Sequence, residues 1–186
     1  MQRKSAGQRL CLYDSAELET IVHSMARQAA ALLPPGQSAL VGILRRGEPL
    51  ARLLRQQLVQ LTGQAELPLY ALKVKRYADD LSLLHAQTAL TESPELAALD
   101  LSGTTLLVVD DVLYEGHSLL RTCAYLSRLG AQRVHAAVLV DRCVCSQPVH
   151  ADIVGVRLQI APGDIIECNV PPYEPVFRIE VLRRGG

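Results

Sequence analysis

The stretch from Thr105 to Gly130, TLLVVDDVLYEGHSLLRTCAYLSRLG, constrains the fold more than any other part of the chain. Leu106, Leu107, Val108 and Val109 form a continuous apolar run, the pattern of a strand buried on both faces of a parallel sheet. The run ends in two carboxylates, Asp110 and Asp111, so the strand delivers charge to its C-terminal edge. After a short loop, Tyr114 to Ser118, apolar residues recur at Leu119, Leu120, Cys123 and Leu126, the spacing of one helix face. Gly130 suits the C′ position that closes such a helix. Strand, acids, glycine-bearing loop and helix N-terminus describe a crevice at the carboxyl end of a sheet, with backbone N–H groups facing an anion and carboxylates beside it. That geometry suits a sugar phosphate.

The flanking segments supply the rest of an α/β chain. LCLY, ending at Tyr13, reads as an extended segment behind a frayed basic start. Asp14 and Glu17 form a capping-box pattern ahead of Leu18, Ile21, Val22, Met25, Ala29, Leu32 and Leu33, a helical stripe that Pro34-Pro35-Gly36 stops. His23, beside that stripe, reads as a surface or satisfied core histidine rather than a ligand. Ala39 to Leu44 reads as a strand, followed by Arg45-Arg46-Gly47 and a helix carrying Leu50, Leu53, Leu54, Leu58 and Leu61. Two arginines beside a glycine suit a diphosphate, and they equally suit a solvated basic turn. LYALKVKR, Leu69 to Arg76, alternates as a strand with one exposed face. Tyr77 to Gly103 shows no single periodicity and is long for a plain connection, which is the mark of a lid. Val134 to Val140 is a further apolar strand with Asp141 and Arg142 at its end, and Ala151 to Gly155 a shorter one. Ile165-Ile166 and Val176 to Val181 read as two late strands around a proline-rich turn, the second alternating as an edge strand would.

A chain of 186 residues is the size of one domain, here residues 1–186. Formal net charge is zero, which removes any global drive toward nucleic acid. RNA is therefore not favoured as a partner, although a dimer would bring modest patches together. No apolar run approaches the roughly 18 residues of a membrane span. The five cysteines, odd in number, fit reduced thiols. The expectation is a cytoplasmic protein without a membrane partner. Cys143 and Cys145, with His150 and Asp152 nearby, read as thiols, because zinc takes four well-spaced ligands.

At its central stretch the sequence resembles the phosphoribosyl-diphosphate (PRPP) signature of the type I phosphoribosyltransferases: an apolar strand, two acids, two apolar positions and a Thr-Gly-x-Thr-like loop. Val109-Asp110-Asp111-Val112-Leu113-Tyr114 is nearest to the pyrimidine-operon regulator/uracil phosphoribosyltransferase group. The resemblance implies an α/β type I phosphoribosyltransferase fold, a central, mostly parallel twisted sheet flanked by helices. A flexible hood, about residues 73–104, would lie over its C-terminal edge. It implies transfer of 5-phosphoribosyl from PRPP to a nucleobase, uracil or another pyrimidine before a purine, with release of diphosphate. Asp110 and Asp111 would be the catalytic pair, holding the ribose hydroxyls and PRPP-bound Mg²⁺, the implied cofactor. Tyr114, Glu115, Gly116, His117 and Ser118 would receive the 5′-phosphate, and Arg45, Arg46 and Gly47 the diphosphate. Tyr77, Asp79 and Asp80 would belong to the hood, and Val140, Asp141 and Arg142 to the base-binding region. The implied assembly is a homodimer or a higher homo-oligomer.

Three stretches of the chain depart from the family pattern. Glu115 stands where a threonine is usual, Ala78 where the hood carries an arginine, and Cys143-Val144-Cys145 where a Gly-His-Arg-like stretch is usual. Glu115 leaves two arrangements open. Facing the phosphate at about 4 Å, it would oppose binding by on the order of 4 kcal/mol at an effective dielectric of 20. Turned outward, it would pair with His117 or a basic neighbour. Two other functions stand beside the enzyme: a sensor that binds PRPP or a nucleotide without turnover, motivated by Glu115 and Ala78, and an RNA-binding regulator of pyrimidine genes, which the resemblance to that group implies.

Overall fold

Alternate residues of three neighbouring strands point into two different cores, and that division sets the architecture. The computed structural model describes residues 8–75 and 89–183. Strands β2 (Ser38–Leu44), β5 (Thr105–Leu113) and β6 (Arg133–Asp141) are the centre of a six-stranded sheet. Leu40, Leu107, Val109, Ala137 and Leu139 pack with helices α1 (Ser15–Leu32) and α2 (Gly47–Thr62) on one face. Val41, Ile43, Leu106, Val108, Ala136 and Val138 pack on the other with α4 (His117–Arg128) and with Leu96 of the short α3 (Pro94–Ala97). Burial on both faces is why these strands read as unbroken apolar runs. With β3 (Leu69–Lys75), β4 (Ala89–Thr91) and β7 (Ile153–Arg157) the order is β4-β3-β2-β5-β6-β7. All neighbours run parallel except β4, which is antiparallel to β3. The fold is thus α/β with a mostly parallel sheet flanked by helices, as expected.

Local signals placed the helix ends. Asp14 caps α1 by accepting from Glu17 N at 3.0 Å, and the Glu17 carboxylate accepts from Asp14 N at 2.9 Å, closing the capping box. Gly130 directly follows Leu129, the C-cap of α4. His23 is exposed, with Nδ1 3.1 Å from Gln57 Oε1. No helix among the described residues is long and apolar enough to cross a membrane.

Four expectations are corrected. Strand β5 does not stop at Val109 but stays paired with β6 through Leu113, so both acids lie within the strand. The late alternating strand β9 (Arg178–Arg183) is not an edge: it is the middle of a second, three-stranded antiparallel sheet, between β1 (Gln8–Tyr13) and β8 (Ile165–Asn169). Its Glu180 is buried rather than solvated, accepting from Asn169 Nδ2 at 2.8 Å with Arg178 at 3.3 Å and Arg9 at 3.6 Å. Alternation there marks a buried acid met by two half-exposed arginines, with Ile179 and Val181 entering the core of α1 and α2. The buried face of α4 is Leu119, Thr122, Tyr125 and Leu126, while Leu120 and Cys123 are only partly enclosed. Polar residues can join that face because Thr122 donates to Ser118 O at 2.9 Å and Tyr125 Oη accepts from Ser93 N at 3.1 Å. Finally, the stretch without periodicity does contain β4 and α3, too short to write a period. Tyr77, Ala78, Asp79 and Asp80, with the rest of residues 76–88 of the expected hood, lie outside the described residues.

Candidate functional site

Two glycines fold the first strand–helix unit tightly onto the central strand. A Cβ at Gly42 would lie 2.4 Å from Glu48 Cα, and one at Gly47 would lie 2.4 Å from Val109 O and 3.0 Å from Asp110 Cα. Without side chains at these points α2 doubles back over β2, and its first residue presses on β5 where the acids begin. The Arg45-Arg46 loop is thereby set beside Asp110 and Asp111. Gly42 is a site determinant that the sequence reading passed over; a lone glycine inside an apolar strand was the available signal.

Along β5, Asp110 continues the parity of Leu106 and Val108 toward α4, and Asp111 that of Leu107 and Val109 toward α2 and Arg46. Asp111 N donates to Asp110 Oδ1 at 2.9 Å and Val112 N to Asp111 Oδ1 at 3.0 Å. Burial pushes the Asp110 carboxyl well above the usual carboxylate range, and the Asp111 charge and hydrogen bond push it further. Burial also raises Asp111, opposed by its hydrogen bond with Asp110 and by the Arg46 charge. Two neighbouring carboxyls, with the first pushed up by burial and by the charge of the second, resist ionising together. Such a pair fits a hard divalent cation, which relieves both the burial and the mutual repulsion. Among the described residues no three His, Cys, Asp or Glu side chains converge as a metal site. Ligand oxygens would complete the coordination.

Asp110 borders a cavity of about 160 Å³ together with Tyr114, Glu115, Gly116, His117, Ser118 and Val138. Gly116, the N-cap of α4, has φ 90°, and a Cβ on it would lie 2.5 Å from Cys145 Sγ and 2.9 Å from Val149 Cγ2. The loop is thus supported from behind by the Cys145–Val149 segment. Ser146 N and Gln147 N donate to Glu115 O at 3.1 and 3.2 Å. Because a trans peptide sets C=O and N–H in opposite directions, this support turns the Gly116 N–H away from Cys145. The Glu115 carboxylate takes the paired arrangement, with Oε2 3.5 Å from His117 Nε2.

At the end of β6 the Val140 side chain is wholly enclosed in the core. Asp141 Oδ1 accepts from Cys143 N at 2.8 Å, and Cys143, standing where the resembled group has glycine, takes a φ of 55°. Arg142 is buried beside the Tyr114 ring, 5.3 Å from its centroid, and its Nε has no hydrogen-bond partner among the described residues. Asp152 is held by Ala136 N at 2.8 Å and His135 Nδ1 at 3.2 Å.

The arginine loop is clasped by a turn near the end of the chain. Glu174 Oε1 accepts from Arg46 Nη2 at 2.6 Å and Nε at 3.1 Å, and the Arg45 guanidinium lies 4.8 Å from the centroid of the Tyr173 ring. Against the upward push of burial, hydrogen bonds from Arg46 and Val170 N and the charges of Arg46 and Arg45 hold the Glu174 carboxyl below its usual range. Neither arginine belongs to a merely solvated turn.

The phosphoribosyl transferase domain family matches residues 11–175. A bifunctional protein PyrR of Thermus thermophilus is 33% identical over 149 residues, covering 80% of this chain and 81% of its own. One from Actinobacillus pleuropneumoniae is 32% identical over 145 residues, covering 77% and 79%. A hypoxanthine phosphoribosyl transferase structure from Trypanosoma cruzi superposes with a TM-score of 0.75 over 98% of this chain and 95% of its own, at 18% identity. One from Staphylococcus aureus gives 0.66 over 80% and 77%, at 15% identity. Family match, relatives and shared fold coincide on the strands that carry the acid pair and both loops, and the chain belongs to the phosphoribosyltransferase family.

Proposed function

We propose that this phosphoribosyltransferase moves the 5-phosphoribosyl group of PRPP to a pyrimidine base, uracil first, with diphosphate as the leaving group. One observation carries most weight: the close approach of Gly47 to Val109 and Asp110, which sets the arginine loop beside the acid pair, while Asp110 borders the cavity of the glycine-bearing loop. Breaking the C1–O bond leaves positive charge on the sugar and negative charge on diphosphate, so the chemistry needs positioning and charge control rather than a covalent nucleophile. Arg45 and Arg46 meet the diphosphate with planar donors, Gly47 allowing close approach. The main chain of Tyr114 to Ser118 and the start of α4 receive the 5′-phosphate. Asp110 and Asp111 accept from the ribose hydroxyls, and with diphosphate oxygens they would hold Mg²⁺, which when bound neutralises charge on the leaving group. Val140 to Arg142 border the base, where the Arg142 Nε–H offers a carbonyl oxygen a buried donor whose isolation costs about 1–3 kcal/mol.

A pyrimidine is favoured because the sequence relatives at 32–33% identity are PyrR proteins, whereas the hypoxanthine enzymes share only the fold at 15–18%. A single domain, a hood drawn from the part of residues 73–104 outside β3, β4 and α3, a cytoplasmic location and a homodimer or larger assembly complete the reading. Turnover decides it: with PRPP, Mg²⁺ and uracil, diphosphate release should saturate in both substrates and exceed that with hypoxanthine. PRPP binding without release for any base would make the protein a sensor instead.

A further inference from the structure

The clasp on the arginine loop has a shape that a folding contact does not require. Both arginines meet one turn: Glu174 takes Arg46 and the Tyr173 ring lies under Arg45. The turn is closed on itself, with Tyr173 N and Glu174 N donating to Val170 O at 3.1 and 3.4 Å and Val170 N donating to Glu174 Oε2 at 2.9 Å. Glu174 thus presents one oxygen to the loop and anchors the other. The pair is reachable from solvent, the Arg46 and Glu174 side chains being 22% and 19% exposed. On either side the chain is fixed by buried Val170 and Phe177, while Pro171, Pro172, Tyr173, Pro175 and Val176 between them are exposed. The turn is thus held at its two ends and faces solvent between them.

We propose that Glu174 is an internal anion occupying the Arg46 guanidinium that a diphosphate group would take, so that the Val170–Glu174 turn releases Arg46 when a diphosphate-bearing ligand binds. The proposal rests on the reading of Arg45 to Gly47 as the diphosphate loop. A diphosphate carries several charges against the single charge of Glu174 and engages both arginines, so it wins the exchange, at an affinity lowered by the contact it must break. A carboxylate that merely oriented Arg46 for the ligand would have the opposite effect when neutralised.

The test is calorimetric titration of wild type, Glu174→Gln and Arg46→Gln with inorganic diphosphate and, separately, with PRPP, all at saturating Mg²⁺ and with folding checked by thermal melting. Glutamine keeps the size and the acceptor for Val170 N–H. The expected result is binding of both ligands about fivefold tighter or more in Glu174→Gln and weakened in Arg46→Gln. Unchanged or weaker binding in Glu174→Gln overturns the proposal, and so does a gain confined to PRPP, which would assign the effect to the sugar. If Arg46→Gln binds like wild type, the diphosphate loop itself is misassigned and the functional reading falls with it. If Arg46→Gln weakens binding and Glu174→Gln does not tighten it, only the competition falls. A second readout follows the turn directly. The chain has no tryptophan, so emission from Tyr173→Trp reports that position alone. It should change with half-saturation at the calorimetric concentration, and constant emission at saturating diphosphate overturns release.

Discussion

The two loops proposed to receive phosphates are built on opposite principles. The Arg45–Gly47 loop offers charged side chains, and those side chains already have partners in Glu174 and Tyr173. The Tyr114–Ser118 loop offers main-chain N–H groups at the start of α4, fixed from behind by Cys145 and Val149. A side-chain site is tuned by whatever competes for the side chain, and a main-chain site by whatever packs beneath it. Charge substitutions should therefore dominate at the first loop and volume substitutions at the second, with Gly47 the exception because the whole first loop hangs on its contact with β5.

That exception gives the largest expected effect. Gly47→Ala meets main-chain atoms of Val109 and Asp110 that cannot swing aside. It should cost about 1–3 kcal/mol in a denaturant titration and weaken PRPP about a hundredfold. Near-normal affinity would break the claim that the loop depends on this contact. Gly116→Ala comes next, costing about tenfold in PRPP affinity because it meets the Cys145 thiol and sits at a φ of 90°. Adding Cys145→Ala should recover part of the loss by making room, leaving the backbone cost. No recovery would mean that packing behind the loop does not set its shape.

Between the loops lies the acid pair, which should act as a stability liability. In metal-free buffer Asp110 is protonated in folded and unfolded chains alike below the ordinary carboxylate pKa, so its burial costs nothing there. As pH rises through the raised folded pKa, the buried carboxyl ionises and that advantage is lost. Asp110→Asn should therefore be more stable than wild type by about 1 kcal/mol at neutral pH and indistinguishable from it near pH 3. Melting temperature against pH measures the difference, and equal curves at neutral pH would contradict it. The smallest effect belongs to Glu115→Thr. With its carboxylate drawn to His117, replacement should change PRPP affinity less than about threefold, against roughly a thousandfold for a carboxylate in contact with the phosphate. A large gain would place Glu115 in the cradle when ligand binds.

The layers were legible because strands buried on both faces write unbroken apolar runs, and because Asp14 with Glu17 and Pro34-Pro35 mark the ends of α1 locally. The acids and Gly116 were legible for the same reason, lying within one contiguous strand–loop–helix. What stayed hidden is partnership across the chain. Glu174 meets Arg46 from 128 residues away, and Cys145 Sγ reaches Glu115 O across 30. Glu180 alternates like a solvated edge residue while being buried against Arg9, Arg178 and Asn169. Periodicity reports the polarity of a position and is silent about what neutralises it.

The central claim is that the crevice between the loops binds PRPP through the acid pair with Mg²⁺. Calorimetric titration of PRPP, with Mg²⁺ and with chelator, into wild type and into Asp110→Asn/Asp111→Asn tests it most directly. The account predicts saturable, Mg²⁺-dependent binding to wild type and none to the double variant, whose cooperative melting persists. Undiminished binding to the folded double variant, or no binding to wild type at saturating Mg²⁺, would contradict it.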